Sequence, residues 1–471
     1  MEGKQSIHFD FNNMMAEMIG SEHGITDHDL KDIKPVASAY VKNMKEERSA
    51  GKLQFLDLPY NKKTVEEVLK TVTSIKGKFR NLVVVGIGGS ALGNIAIHTA
   101  MNHPFHNLLT DVERNNIPRI FVLDNIDPDR FSGLLDIVTP GETLFNFITK
   151  SGTTVETMSQ FLIITKLLQN KLGNNYREHV ITTTDEKKGT LRAITKHEGF
   201  KSFTIPAGVG GRYSVLTPVG LFSAAMGGVD ISELLDGAAH MDAACQSDNL
   251  WENPALMGAV LSFLSHRKKG KNIFVTMPYS NALSGVSDWF CQLWAESLGK
   301  RFSLNKEIVH TGSTPIKAIG VVDQHSQLQL YMEGPYDKVI TFWVIKRFNK
   351  NVPIANENTI ENELIYLKGH SLNDLFNAEF EGTRLALAEE RRPNCTLSLD
   401  ELSAFNLGQL FCLYELQTAF AGKFYNVNAF DQPGVEVGKI NAFAMLGKKG
   451  FEQREKEINI RLQKTQKKYH I

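Results

Sequence analysis

Two patterns of apolar and polar positions alternate along this chain. Short apolar runs bounded by turn residues predict strands at 81–85, 119–124, 144–149, 179–183 and 202–205. Between them lie stretches with helical periodicity, the longest from 154 to 172. Strands alternating with helices at this spacing predict an α/β fold: a mostly parallel sheet with helices on both faces. The first seventy-odd residues read instead as helices and turns, with a helix at 64–72. After helices at 231–244 and 254–265 the strand-and-helix pattern restarts at 272–277, where the strand runs into Pro278-Tyr279-Ser280-Asn281 and feeds a helix at 282–300. A second parallel sheet is therefore expected. An internal duplication would account for the restart, although the two halves do not align residue by residue. Downstream, 338–345 reads as a strand, 372–390 and 403–422 as helices, and the polar tail from 450 as a surface helix.

Length and composition sharpen this picture. Beyond roughly 250 to 300 residues a single core stops growing, so a chain of 471 should divide. The expected parts are an N-terminal helical segment (1–75), a first αβα domain (76–235), a second with leading helices (236–425) and a C-terminal segment (426–471). Lysines plus arginines balance aspartates plus glutamates at 52 each, which removes any global electrostatic case for nucleic acid or an anionic membrane as partner. Anion binding must then be local. Residues 1–20 lack the apolar core of a signal peptide, and no stretch approaches the roughly 18 apolar residues of a membrane helix. Cys245, Cys291, Cys395 and Cys412 are widely spaced with no C-x-x-C pattern, as expected of buried free thiols in a reducing cytoplasm. No histidine, cysteine or carboxylate cluster has metal-ligand spacing.

Gly86-Ile87-Gly88-Gly89-Ser90-Ala91 joins a strand to a helix, where glycines admit a ligand to the backbone and the helix N-terminus favours an anion. The same residues satisfy the dinucleotide pattern G-x-G-x-x-A. Asp124 ends the next strand, but lies beyond the spacing at which an acid would hold the ribose. A dinucleotide, another phosphate ligand and a merely tight turn all remain open on this motif.

Thr149-Lys150-Ser151-Gly152-Thr153-Thr154 again joins a strand to a helix and concentrates hydroxyls there, a turn that could wrap a phosphate monoester. Thr153 and Glu156 also have capping-box spacing. In Gly208-Val209-Gly210-Gly211-Arg212-Tyr213-Ser214 an arginine follows glycines, placed either for an anionic oxygen or for a structural ion pair. Along 282–300, Leu283, Val286, Phe290, Leu293 and Trp294 form an apolar stripe flanked by Gln292, Glu296 and Lys300. Glu296 at that margin suits a proton-abstracting carboxylate; a surface pair with Lys300 is the plainer alternative. His325 in the polar turn 322–326, and Lys439 at the end of Phe430-Asp431-Gln432-Pro433-Gly434-Val435-Glu436-Val437-Gly438-Lys439, are unremarkable taken singly.

Taken together and in order, these segments resemble the phosphoglucose isomerase family over roughly 82–439. GGRYSVLTPVG and FDQPGVEVGK are similar to its two signature motifs, and GIGGSALG, TKSGTTVET, AESLGK and DQHS to its other ligand-site segments. The resemblance implies two sugar-isomerase (SIS) type parallel-sheet αβα sandwich domains flanked by helices. It also implies a cytoplasmic homodimer that needs no cofactor and interconverts glucose 6-phosphate and fructose 6-phosphate through a cis-enediolate. By resemblance, Gly89, Ser90, Thr149, Lys150, Ser151 and Thr154 would bind the 6-phosphate. Glu296 would move the proton between C2 and C1, Arg212 would face the enediolate, and Gln292 and Gln432 would line the site. His325, supplied by the partner subunit, and Lys439 would assist ring opening. Pro433 stands where many longer members carry tryptophan, as suits the short bacterial branch.

This assignment has a chemical logic of its own. Aldose–ketose exchange removes a weakly acidic proton beside a carbonyl and returns it one carbon away. One carboxylate can do both if a cation stabilises the oxyanion and water is excluded. A remote phosphate supplies binding energy for orientation.

Overall fold

The computed structural model describes residues 7–355, 362–465 and 469. In chain order the strands are β1 (His8–Asp10), β2 (Asn81–Val85), β3 (Arg119–Leu123), β4 (Thr143–Thr149), β5 (Val180–Asp185), β6 (Lys201–Ile205), β7 (Ile273–Tyr279), β8 (Lys300–Phe302), β9 (Ile308–Thr311), β10 (Thr314–Lys317), β11 (Lys338–Arg347) and β12 (Asn394–Glu401). The first sheet has the order β3-β2-β4-β5-β6 with every pairing parallel. Its central strands β2 and β4 are buried at every position, which is why their sequences read as apolar runs and not as alternation.

The second sheet has the order β1-β12-β11-β7-β10. Pairings among β7, β10, β11 and β12 are parallel; β1 joins β12 antiparallel, with Phe9 opposite Leu397. Counted from the first parallel strand of each sheet, both follow the doubly wound order 2-1-3-4. The fifth place is filled by parallel β6 in the first sheet and by the antiparallel N-terminal strand in the second. The α/β expectation holds, and the repeat that residue alignment failed to reveal exists as strand order.

A shared apolar core ties the sheets together. The helix Ala404–Phe424 is buried along almost its whole length and packs against Ile231–Ala244, Pro254–Lys269 and Ser284–Leu298. Trp289, Trp294, Trp343 and Phe411 lie fully inside this layer. Ser284–Leu298 packs in turn on Leu92–Met101, and a methyl on Gly285 would stand 3.1 Å from Ala96 Cα, so small residues set how closely these helices approach.

Several expectations need correction. The helix placed at 282–300 ends at Leu298, where Gly299 N–H bonds the Ala295 carbonyl, and the chain turns into β8. β1, the β8–β9 pair and β10 were not anticipated: each is three or four residues long, and β10 carries Pro315, which an edge strand tolerates. Among the described residues no helix is long and apolar enough to cross a membrane.

Candidate active site

In an open doubly wound sheet, the crevice outside the carboxyl ends of the strands where the order reverses is the place for a ligand. In the first sheet that point lies between β2 and β4. The segments leaving these strands are the glycine-rich turn 86–90 and the hydroxyl-rich turn 149–154, so the topology brings together two motifs that sequence showed only as separate strand–helix junctions.

In the second turn the hydroxyls converge. Thr149 Oγ1 lies 2.8 Å from Thr154 Oγ1 and 3.4 Å from Ser151 Oγ, which is itself 3.4 Å from Thr154 Oγ1. Thr153 Oγ1 and N–H both bond Ser151 Oγ, at 3.2 Å each. The capping box expected from Thr153 and Glu156 is not formed. Thr154 is the N-cap residue of Val155–Leu172 and makes no side-chain cap bond, because its hydroxyl is turned to Thr149. The first amides of that helix keep their donors for an anion.

Lys150 does not join the cluster. Its ammonium donates to the carbonyls of Ala207 (2.7 Å) and Val209 (2.8 Å), fastening this turn to the loop that carries Arg212; burial pulls its pKa down. The 86–90 turn meets the same loop. A methyl on Gly89 would stand 2.3 Å from the Gly211 carbonyl carbon, and one on Gly88, where φ is +58°, 2.9 Å from Gln292 Nε2. Ser90 lies between these glycines and the helix Leu92–Met101.

Arg212 is 3 % exposed and bonded on all sides. Its Nε donates to Ser297 Oγ (2.7 Å), Nη1 to Gln432 Oε1 (2.9 Å), and Nη2 to the carbonyls of Ala429 (2.7 Å) and Asp431 (3.0 Å). Nη1 also lies 3.6 Å from Glu296 Oε1, while Gln292 Nε2 donates to Glu296 Oε2 at 2.9 Å. The stripe expected on this helix is buried as a unit, leaving Gln292 and Glu296 half-buried on its flank. Among the described residues no donor reaches the buried Gln292 Oε1. The surface pair of Glu296 with Lys300 does not exist: Lys300 is buried, and its Nζ bonds the Glu296 carbonyl (2.6 Å) and the Asp431 carbonyl (2.8 Å).

The residues expected to assist ring opening are both exposed. His325 is exposed at the end of the turn 322–324, just past β10. Lys439 is exposed on Glu436–Met445 and pairs with Glu436 at 2.9 Å. Asp124, the candidate ribose acid, is engaged by Arg130 at 2.6 Å. Sequence reading missed Ser297, Tyr213 and Asp431 as supports of Arg212. All three adjoin expected site residues and lie within the quoted motifs AESLGK, GGRYSVLTPVG and FDQPGVEVGK, which was the signal for them. Among the described residues no group of three His, Cys, Asp or Glu side chains could hold a metal ion.

These features define an α/β protein whose switch-point crevice offers hydroxyls and helix amides to an anion, beside a carboxylate and a buried guanidinium. The sequence matches the phosphoglucose isomerase family over residues 61–459. It is 44% identical to a glucose-6-phosphate isomerase of Carboxydothermus hydrogenoformans, over 96% of this chain and 97% of that one. It is 42% identical to one of Rubrobacter xylanophilus, over 94% and 98%. Among solved structures, a hypothetical protein of Thermus thermophilus superposes with a TM-score of 0.84 at 35% identity, covering 94% of this chain and 100% of that one. A glucose-6-phosphate isomerase of Chlamydia trachomatis superposes with a TM-score of 0.73 at 26% identity, covering 85% and 76%. The chain belongs to the phosphoglucose isomerase family.

Proposed function

We infer that this chain catalyses the reversible isomerisation of glucose 6-phosphate and fructose 6-phosphate. The observation that carries the reading is the Glu296 carboxylate held between Gln292 Nε2 and the Arg212 guanidinium, on the side of the 86–90 turn. Glu296 takes the proton from C2 of the open-chain aldose and returns it to C1. Arg212, fixed by four hydrogen bonds, stabilises the enediolate oxygen without reorganising. Gln292 Oε1 is the acceptor for a sugar hydroxyl. The phosphate sits on Ser151, Thr154 and the amides of Val155–Leu172, with Thr149 behind them and Gly89 and Ser90 across the crevice. Lys150 serves that site by holding the turn against the Arg212 loop.

His325 and Lys439 assist ring opening in this reading, and His325 does so in a partner subunit. Helix Ser284–Leu298 starts at the carboxyl edge of the second sheet and runs back along it, so Glu296 lies about 18 Å from that edge at 1.5 Å per residue. His325, beyond β10, lies at the carboxyl edge. Their separation leaves His325 free to serve another chain's Glu296. Val435, Val437, Ile440, Met445 and Leu446 are exposed around Lys439, an apolar surface that a second copy would cover in a homodimer. Four free cysteines suit a cytoplasmic setting.

The test is a coupled assay with fructose 6-phosphate on the purified protein, reading glucose 6-phosphate formation. Absence of turnover at micromolar enzyme would overturn the assignment.

A further inference from the structure

Lys300 belongs to none of the roles above, yet it is the best-buried lysine near the reacting carboxylate, 7 % exposed. It follows the helix that presents Glu296 and opens β8. Its Nζ donates to the Glu296 carbonyl at 2.6 Å and to the Asp431 carbonyl at 2.8 Å, with Asp431 Oδ1 at 3.6 Å. The Asp431 carbonyl also accepts from Arg212 Nη2 at 3.0 Å. Two buried cations thus grip one peptide oxygen, immediately before Gln432. Phe430, on the other side, packs on Tyr213 and Phe55. From Asp431 to Ile440 every residue is exposed, so this grip roots the segment that leads to Lys439.

We propose that Lys300 is a positioning residue, which fixes the segment bearing Gln432 and Lys439 at a set distance from the helix end bearing Glu296. The inference rests on the isomerase reading. A carbonyl-to-carbonyl tie through an ammonium suits this task, because it acts on backbone at both ends and leaves the Glu296 side chain free to react. Nothing in the contact involves the phosphate turn, so the tie should act on turnover and not on capture of the phosphate end.

The charges facing the ammonium are Arg212, Asp431 and Glu296, and burial followed by the Arg212 charge brings its pKa down to about 8. Deprotonation above that value removes the attraction to Asp431 and weakens both carbonyl bonds. Turnover should therefore decline through the pH 8 to 9 range. For stability the sign is opposite. The unfolded chain, with its lysine near 10.5, holds more protons than the native state between about 8 and 10.5, so this group's contribution to stability rises with pH there.

The experiment compares wild type, Lys300→Met and Lys300→Arg. With wild type active, Lys300→Met should lose at least about tenfold in kcat while competitive inhibition by inorganic phosphate changes less than about twofold. Lys300→Arg should recover part of kcat and carry its alkaline limb to higher pH. Wild-type kcat in Lys300→Met, or an alkaline limb shared by wild type and Lys300→Arg, would overturn the proposal. So would a kcat loss matched by equal weakening of phosphate inhibition in both variants, since that marks general damage. An inactive wild type would instead remove the isomerase reading itself.

Discussion

Glu296 Oε1 and Arg212 Nη1 stand 3.6 Å apart, too far for a full hydrogen bond and close enough for strong electrostatic contact. The guanidinium directs its short bonds to Ser297, Gln432 and two carbonyls, and so is fixed in place without being neutralised by the carboxylate. Among the described residues the Glu296 carboxylate takes one hydrogen bond, from Gln292. A base must be oriented yet free to accept a proton, and this spacing meets both requirements.

Glu296→Gln should therefore lower kcat by about 10² to 10⁴, roughly 3 to 5 kcal/mol of barrier, because the amide cannot accept the proton while its shape is retained. Inhibition by inorganic phosphate, which reads the far end, should persist. A variant with wild-type kcat would remove Glu296 from the chemistry.

Replacing Ser151 and Thr154 together by alanine should act at the other end. Each hydroxyl given to a charged phosphate is worth about 1.5 to 3 kcal/mol, so KM should rise tenfold or more with a smaller effect on kcat. Steady-state kinetics with fructose 6-phosphate give both constants, and an unchanged KM would count against the phosphate assignment.

Gly89→Ala should be costly, since its methyl would meet the Gly211 backbone on a path that no rotamer can relieve. A loss of about 1 to 3 kcal/mol is expected in urea unfolding, with displaced loops and reduced turnover. Gly434→Ala, with nothing within 4 Å of the added carbon, is the matched control and should unfold like wild type.

The shared-site reading has a direct test in mixed dimers of Glu296→Gln and His325→Ala chains. If His325 serves the partner's site, one hybrid site carries both lesions and the other none, so activity returns to about half the wild-type level per hybrid. If it serves its own chain, every hybrid site keeps one lesion. No rescue, with hybrids confirmed by native mass spectrometry, would exclude the shared site.

What the sequence disclosed follows from how local each feature is. The buried parallel strands β2 and β4 were readable because two covered faces demand largely apolar runs, β5 because its Val-Ile-Thr-Thr-Thr run is β-branched throughout, and Ile231–Ala244 because its periodicity is clean. β1 is three residues, too short for any period, and owes its existence to pairing with β12. The hydroxyls of the 149–154 turn were legible, but their preference for one another over the helix cap depends on side-chain geometry that spacing cannot express. Lys300 was misread as a surface partner of Glu296 because they are four apart on an extrapolated helix. The turn at Gly299 and the arrival of Asp431 decide its contacts, and the latter comes from far along the chain. Arg212 posed the same difficulty: its residue type signalled an anion or an ion pair, and only the fold shows its bonds to Ser297, Gln432 and two carbonyls with Glu296 alongside.

The antiparallel β1 has a consequence for how the molecule is made. Its partner β12 lies far along the sequence, beyond every other strand of both sheets, so β1 pairs only once β12 has been made. Without β1 the second sheet would end in β12, with the unpaired amides and carbonyls that invite another chain to add on. The short run from His8 to Asp10 thus covers an otherwise adhesive border. A chain shortened past it would keep Glu296, Arg212 and the 149–154 turn and gain a tendency to aggregate.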